Sequence, residues 1–260
     1  MFPKKILDFV LARRHETGGF GAAPTLPPSV EDTYLALRIL ERLLPRAKEE
    51  VSAVIHAPSL VQFLQDPEDR EEWHAKTGFH YVYCCRVAGM VPEREWVRQF
   101  VSDRLGDSTA LADHFYCVRM IKEIPNFSFE DALTFFKTYS PTGWRSVKEL
   151  WMSLVLVDGH PEKLGTDRDN LLVWIRSCQN PDGGFGFLPR TTSYMETMHT
   201  CLRTLALLKA APLDPAGAER FILSAWTTSG GCARKNGGAP FLDATWHAVA
   251  SLSLLNRFPQ

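Results

Sequence analysis

The sequence has no CxxC pair, no hydrophobic run long enough to cross a bilayer, no excess of either charge and no GxxxxGK[ST] phosphate loop. Each absence excludes a class. A membrane-spanning helix needs ~20 consecutive apolar residues, so no transmembrane segment is expected. With 29 Lys and Arg against 30 Asp and Glu, the basic footprint of a nucleic-acid binder is missing. The N-terminal stretch MFPKKILDFVLARRH is interrupted by Asp8 and lacks a small-residue cleavage site, so it reads as a helix rather than a signal peptide. The six cysteines, Cys84, Cys85, Cys117, Cys178, Cys201 and Cys232, have neither zinc-finger nor disulfide-framework spacing. They read as buried free thiols of a cytoplasmic protein. Disorder is excluded in turn by 45% hydrophobic against 23% charged residues.

What is present is 17 glycines and 17 prolines in a chain otherwise rich in helix formers. They cluster in TGGFGAAPTLPP (17–28), SPTGW (140–144), NPDGGFGFLP (180–189) and SGGCARKNGGAP (229–240). Between the clusters, apolar residues recur at i, i+3/i+4 and i+7, the signature of an amphipathic helix. A spacing of roughly 33–50 residues is that of a repeat architecture. The clearest copy, residues 171–208, reads as helix, glycine-rich turn, extended loop and second helix; residues 8–40 and 218–255 match it.

Aligned without gaps, the second helices give six copies, starting at Asp32, His80, Asp113, Glu149, His199 and His247. Positions 0, +4 and +7 of a helix share one face. In these copies that face is ionisable at the first turn, mostly small in the middle and apolar below. The second helices are apolar on most faces, as suits an inner layer, and the first helices are more charged, as suits an outer one. The expected fold is all-α: an α/α toroid of about six helix pairs with inner and outer rings. It forms one domain over 1–260, with repeats near 6–44, 54–90, 97–124, 131–160, 168–210 and 217–257. An open solenoid is the competing geometry. Arg38, Arg86 and Arg119 recur six residues after the helix starts, turned off the central stripe, which assigns them to contacts between helices.

The segment QNPDGGFG (179–186) and the following YMETMHTCLRTLALL resemble the repeats of protein prenyltransferase β-subunits and of squalene/terpene cyclases. The resemblance is specific for the fold and not for the chemistry. It implies an α/α barrel whose centre handles isoprenoid chains. Protein prenyltransferases hold zinc with an Asp-x-Cys pair on one inner helix and a His on the next. By resemblance the Cys position falls at His199, the His position at His247 and the Asp position at Thr197, with Glu196 adjacent. His199, His247 and Glu196 are therefore the expected zinc ligands, with Asp32 adjoining them if the ring closes. The resemblance also implies a helical partner subunit.

The cyclase branch uses an Asp-x-Asp-Asp-Thr segment as proton donor, and SVEDT (29–33) resembles it, with Glu31 and Asp32 as the acids. Carboxylates at helix starts also serve as caps. His80, Asp113, Arg203 and Trp246 are the expected substrate-binding residues; Arg145, Lys148 and Arg190 are further basic candidates. The leading expectation is an enzyme, a prenyltransferase-like transferase binding an isoprenoid or other apolar small molecule. A non-catalytic toroid that binds lipid or protein, and a class II cyclase, are the alternatives.

Overall fold

The structure is a computed structural model, and it describes residues 2–65, 67, 70–106, 108–127 and 144–255. The chain divides into two compact units: Ala12–Tyr139, and Met1–Leu11 together with Ser140–Gln260. The helices in chain order are α1 (Phe2–Leu11), α2 (Val30–Leu43), α3 (Lys48–Ile55), α4 (Pro58–Gln65), α5 (Ala75–Val87), α6 (Arg94–Leu105), α7 (Leu111–Lys122), α8 (Val147–Leu156), α9 (Arg168–Ser177), α10 (Met195–Leu207), α11 (Pro215–Ser224) and α12 (Leu242–Leu254). Among the described residues, the named strands are β1 (Cys232–Ala233) and β2 (Pro240–Phe241), an antiparallel pair. Helix α3 is an element that the repeat pattern had not separated. The outer half of the fourth repeat and most of SPTGW lie outside the described residues.

In the first unit α5 packs between α2 and α7; in the second α10 packs between α8 and α12. These inner helices bury most of their apolar side chains. Ala36, Leu37, Ile39 and Leu40 are fully buried on α2, as are Ala248, Val249 and Leu252 on α12. Cys84 and Cys117 are fully buried small residues between neighbouring helices. Burial pushes the thiol of Cys85 up to about 11 and that of Cys117 up to about 12, so neither is a thiolate at neutral pH. All six cysteines are free and buried. Among the described residues, no helix is long and apolar enough to cross a membrane.

The glycine-rich turns are structural couplings. In the fifth repeat the Gln179 side chain pairs with both backbone groups of Asp214, donating to its carbonyl at 2.9 Å and accepting its N–H at 3.0 Å. Asp214 is the N-cap of α11, so the glutamine ties the turn to the next outer helix. Asp182 accepts from Gly184 N–H and Ser193 Oγ, both at 2.9 Å, and closes the turn on itself. Gly183 lies at φ +83°, and a Cβ there would fall 2.1 Å from the Gly217 carbonyl oxygen of α11. Gly230, at φ +89°, makes the same approach to Lys5 of α1, again at 2.1 Å. Thus α1 docks on the sixth turn as α11 docks on the fifth, which explains why the N-terminal helix belongs to the unit of residues 140–260.

Candidate functional site

The N-cap positions of the inner helices correct the register drawn from the sequence. The inner helices are capped by Ser29, His74, Ala110, Ser146, Tyr194 and Phe241. Asp32, Asp113 and Glu149 stand three residues after their caps, whereas His199 stands five and His80 and His247 six after theirs. The six ionisable starts are therefore two sets at different depths, and the acidic set is capping machinery. Ser29 Oγ donates to Asp32 at 2.6 Å and accepts the Asp32 N–H at 3.0 Å. Ser146 accepts the Glu149 N–H at 3.1 Å, and Glu149 accepts from Arg145 N–H. Asp113 accepts from Ser108 at 2.7 Å beside a polar pocket that also includes His74 and Arg104.

The SVEDT segment does not provide an enclosed acid. The Glu31 side chain is 53% exposed and ion-paired with Lys76 at 2.5 Å. A carboxylic acid kept neutral for proton donation needs an apolar enclosure that this position lacks.

His199 and His247 do meet. Their Nδ1 atoms lie 2.9 Å apart, a contact that requires one nitrogen to donate and the other to accept. His199 is buried, with the edge of Trp246 against it at 5.6 Å between centroids. His247 is half-buried and lines a pocket of about 590 Å³ at the N-terminal ends of α10 and α12. Phe187, Tyr194 and Ala244 supply the pocket's apolar wall; Glu196, Arg234 and Asp243 supply its polar rim. The aromatic residues Phe187 and Tyr194, 47% and 42% exposed, were missed in the sequence because the loop and cap positions they occupy carry no helical periodicity.

The polar rim is internally neutralised. Asp243 accepts from Arg234 at 2.8 Å, and Glu196 pairs with Lys148 at 3.3 Å. Arg203 lies over the Trp151 ring, 3.1 Å from its centroid, and donates to Thr200. Arg190 is exposed in a left-handed turn at φ 66°.

Zinc requires three or four donors converging on one point. Here two imidazoles converge and engage each other. Glu196 is exposed and turned to Lys148, and Thr197 donates its hydroxyl to the Phe185 carbonyl at 2.5 Å. Among the described residues no group of three His, Cys, Asp or Glu side chains could hold a metal ion. The expected set of His199, His247 and Glu196 is therefore not assembled for zinc.

Paired helices joined by glycine-rich turns, with a pocket over the N-terminal ends of α10 and α12, define the class of helix-pair repeat proteins. Residues 2–89 and 117–260 match the Prenyltransferase alpha-alpha toroid domain family. The chain belongs to that family, and its fold class is the α/α toroid. The geranylgeranyl transferase type-2 subunit beta of Candida albicans is 28% identical over 145 residues, 54% of this chain. The match spans 42% of that relative's length.

Proposed function

We propose that the chain is a prenyltransferase-like protein that binds an isoprenoid or similar apolar chain and transfers it to an acceptor, working with a helical partner subunit. The observation that carries this reading is the half-buried His247 in an aromatic-walled pocket, backed by the buried His199. Membership of the family supports the fold, and the relative named as a transferase subunit supports the class of reaction and the need for a partner.

No step is routed through a metal, because among the described residues no three donors assemble a site for one. The chemistry available is acid–base. His199 holds the Nδ1 side of the His247 ring, which leaves Nε2 as the nitrogen outside that contact. In the proposed step an acceptor thiol or hydroxyl gives its proton to His247 Nε2. Its electron pair forms the new bond to the prenyl carbon. The carbon–oxygen bond to diphosphate breaks, and diphosphate leaves with that electron pair. The apolar wall holds the chain, at roughly 0.8 kcal/mol per buried CH₂.

The failure of three metal donors to converge favours one second reading, a toroid that binds a lipid without transforming it. Calorimetric titration with farnesyl and geranylgeranyl diphosphate, followed by a transfer assay on the pure chain with a thiol acceptor, separates the two. Binding with turnover that His247→Ala removes supports transfer. Binding without turnover supports the carrier, and absence of binding to either chain length rejects both.

A further inference from the structure

The sequence places an Asn or Asp directly before glycine at Asp158–Gly159, Asp182–Gly183 and Asn236–Gly237. At such a step the glycine nitrogen can attack the side-chain carbonyl carbon and close a five-membered succinimide ring, since glycine has no Cβ to shield that nitrogen. Closure requires a nitrogen outside any hydrogen bond, a side chain free to turn toward it, and water to open the ring again. The structure grants this freedom unequally.

The two Asp steps are held. The Gly159 N–H donates to the Leu154 carbonyl at 2.7 Å, in the turn that ends α8. The Gly183 N–H donates to the Asn180 carbonyl at 2.9 Å. The Asp182 side chain is occupied as well, accepting from Gly184 N–H and Ser193 Oγ, both at 2.9 Å.

Asn236–Gly237 is different. These are the two central residues of the turn between β1 and β2, which Gly238 N–H closes onto the Lys235 carbonyl at 3.2 Å. Of the two, only Gly237 has a positive φ, at +77°, the type II arrangement. Residues 234–239 are exposed, and a Cβ on Gly237 would meet nothing within 4 Å. Among the described residues, neither the Gly237 N–H nor the Asn236 side chain has a hydrogen-bond partner. The exposed Lys235 next to them adds a positive charge that favours the amide anion needed for attack. The side chain is also an amide, whose ammonia leaves more readily than the hydroxide of a carboxyl group.

The turn joins two fixed points. The Arg234 carbonyl accepts the N–H of Met195, the first residue of α10, at 2.9 Å, and its guanidinium holds Asp243 of α12 at 2.8 Å. Phe241, at the far end of β2, is the N-cap of α12. The length of main chain between Arg234 and Phe241 therefore sets how the starts of α10 and α12 are tied together.

We propose that Asn236 is a site of spontaneous deamidation, and that its isoaspartyl product loosens the tie between α10 and α12. Gly237 N bonds to Asn236 Cγ, the Cγ–N bond of the side-chain amide breaks, and ammonia leaves carrying the Gly237 amide proton. Water then opens the ring. Addition at Cγ restores the ordinary main chain and leaves aspartate. Addition at the α-carbonyl breaks the original peptide bond and leaves isoaspartate, whose main chain runs through Cγ and is one carbon longer. Nothing is oxidised or reduced. This chemistry is independent of the reaction proposed at the His247 pocket.

The test is incubation of the full chain in ¹⁸O-water at neutral and mildly alkaline pH, native and in urea, followed by peptide mapping with mass spectrometry. In the native chain the peptide containing residue 236 should gain about three daltons, or about one in ordinary water, and separate into two products, faster at the higher pH. Asn236→Gln, which must close a six-membered ring, should react about tenfold more slowly or less. Isomerisation at Asp158 and Asp182 should appear only in urea. The aged native chain should melt below Asn236→Asp, which carries the new charge on an unlengthened chain. A native chain that keeps its Asn236 amide while the urea-unfolded chain loses it overturns the proposal. So does native isomerisation at Asp158 or Asp182 that keeps pace with Asn236. Equal melting of the aged chain and Asn236→Asp overturns the loosening.

Discussion

Replacing His80 with phenylalanine makes the protein more tolerant of acid. His80 is 4% exposed, packed flat on Tyr34 and close to Phe79 and Tyr116. Its proton affinity is held well below the ordinary 6.5, first by burial and then by Lys76, Arg119 and Arg38. In the unfolded chain the imidazole titrates near 6.5, so as pH falls through that value the unfolded state takes up a proton that the folded state refuses. Stability from this group is level above the unfolded value and declines below it, until the lowered folded value is reached. One proton corresponds to about 1.4 kcal/mol per pH unit, and the decline between pH 7.5 and 5.5 sums to about 1.4 kcal/mol. Phenylalanine preserves the stack and cannot titrate. Urea unfolding followed by circular dichroism at the two pH values should show wild type losing about 1.4 kcal/mol more than His80→Phe. At pH 7.5 the variant should be at least as stable as wild type, because a buried nitrogen without a partner is removed. Equal pH dependence in the two proteins would refute the reasoning, since it would mean that His80 is protonated within the fold.

Two further perturbations test the turns and the metal argument. Gly183→Ala puts a Cβ 2.1 Å from the Gly217 carbonyl oxygen in a left-handed backbone, whereas Gly89→Ala, at φ +74°, meets nothing within 4 Å. The first should cost about 3 kcal/mol or more and the second about 1 kcal/mol, and a melting scan that ranks them the other way defeats the coupling assigned to the turn. Purified protein should carry substoichiometric zinc, and chelation should leave its melting temperature unchanged. A retained equivalent of about one zinc per chain, lost in His199→Ala, would contradict the donor geometry.

Much of the fold was legible because its signals are short-range. Helix pairs follow from apolar periodicity, and the turns from Gly-Gly after Asp182 and from Gln179, whose partners lie in the same or the next element. The inner-helix register was only partly legible. An ungapped alignment put Asp32 level with His199 and His247, because the apolar spacing fixes a helical face but not the residue at which the helix begins. That start is decided by backbone caps such as Tyr194 and Phe241, residues that carry no sequence signature of capping.

The sequence alone determined that the chain forms paired helices broken by glycine turns, with apolar inner helices and small residues such as Cys84 and Cys117 between them. Hydrophobic periodicity and left-handed glycine act within a few residues, so they are written locally. Only the tertiary structure decided that α1 docks on the turn at Gly230, that His199 meets His247 across 48 residues of chain, and that Glu196 turns to Lys148 instead of joining them. Those outcomes depend on how separate helices pack. A side chain's partner is set by the angle and depth of its neighbour, and neither is encoded within the segment that carries it.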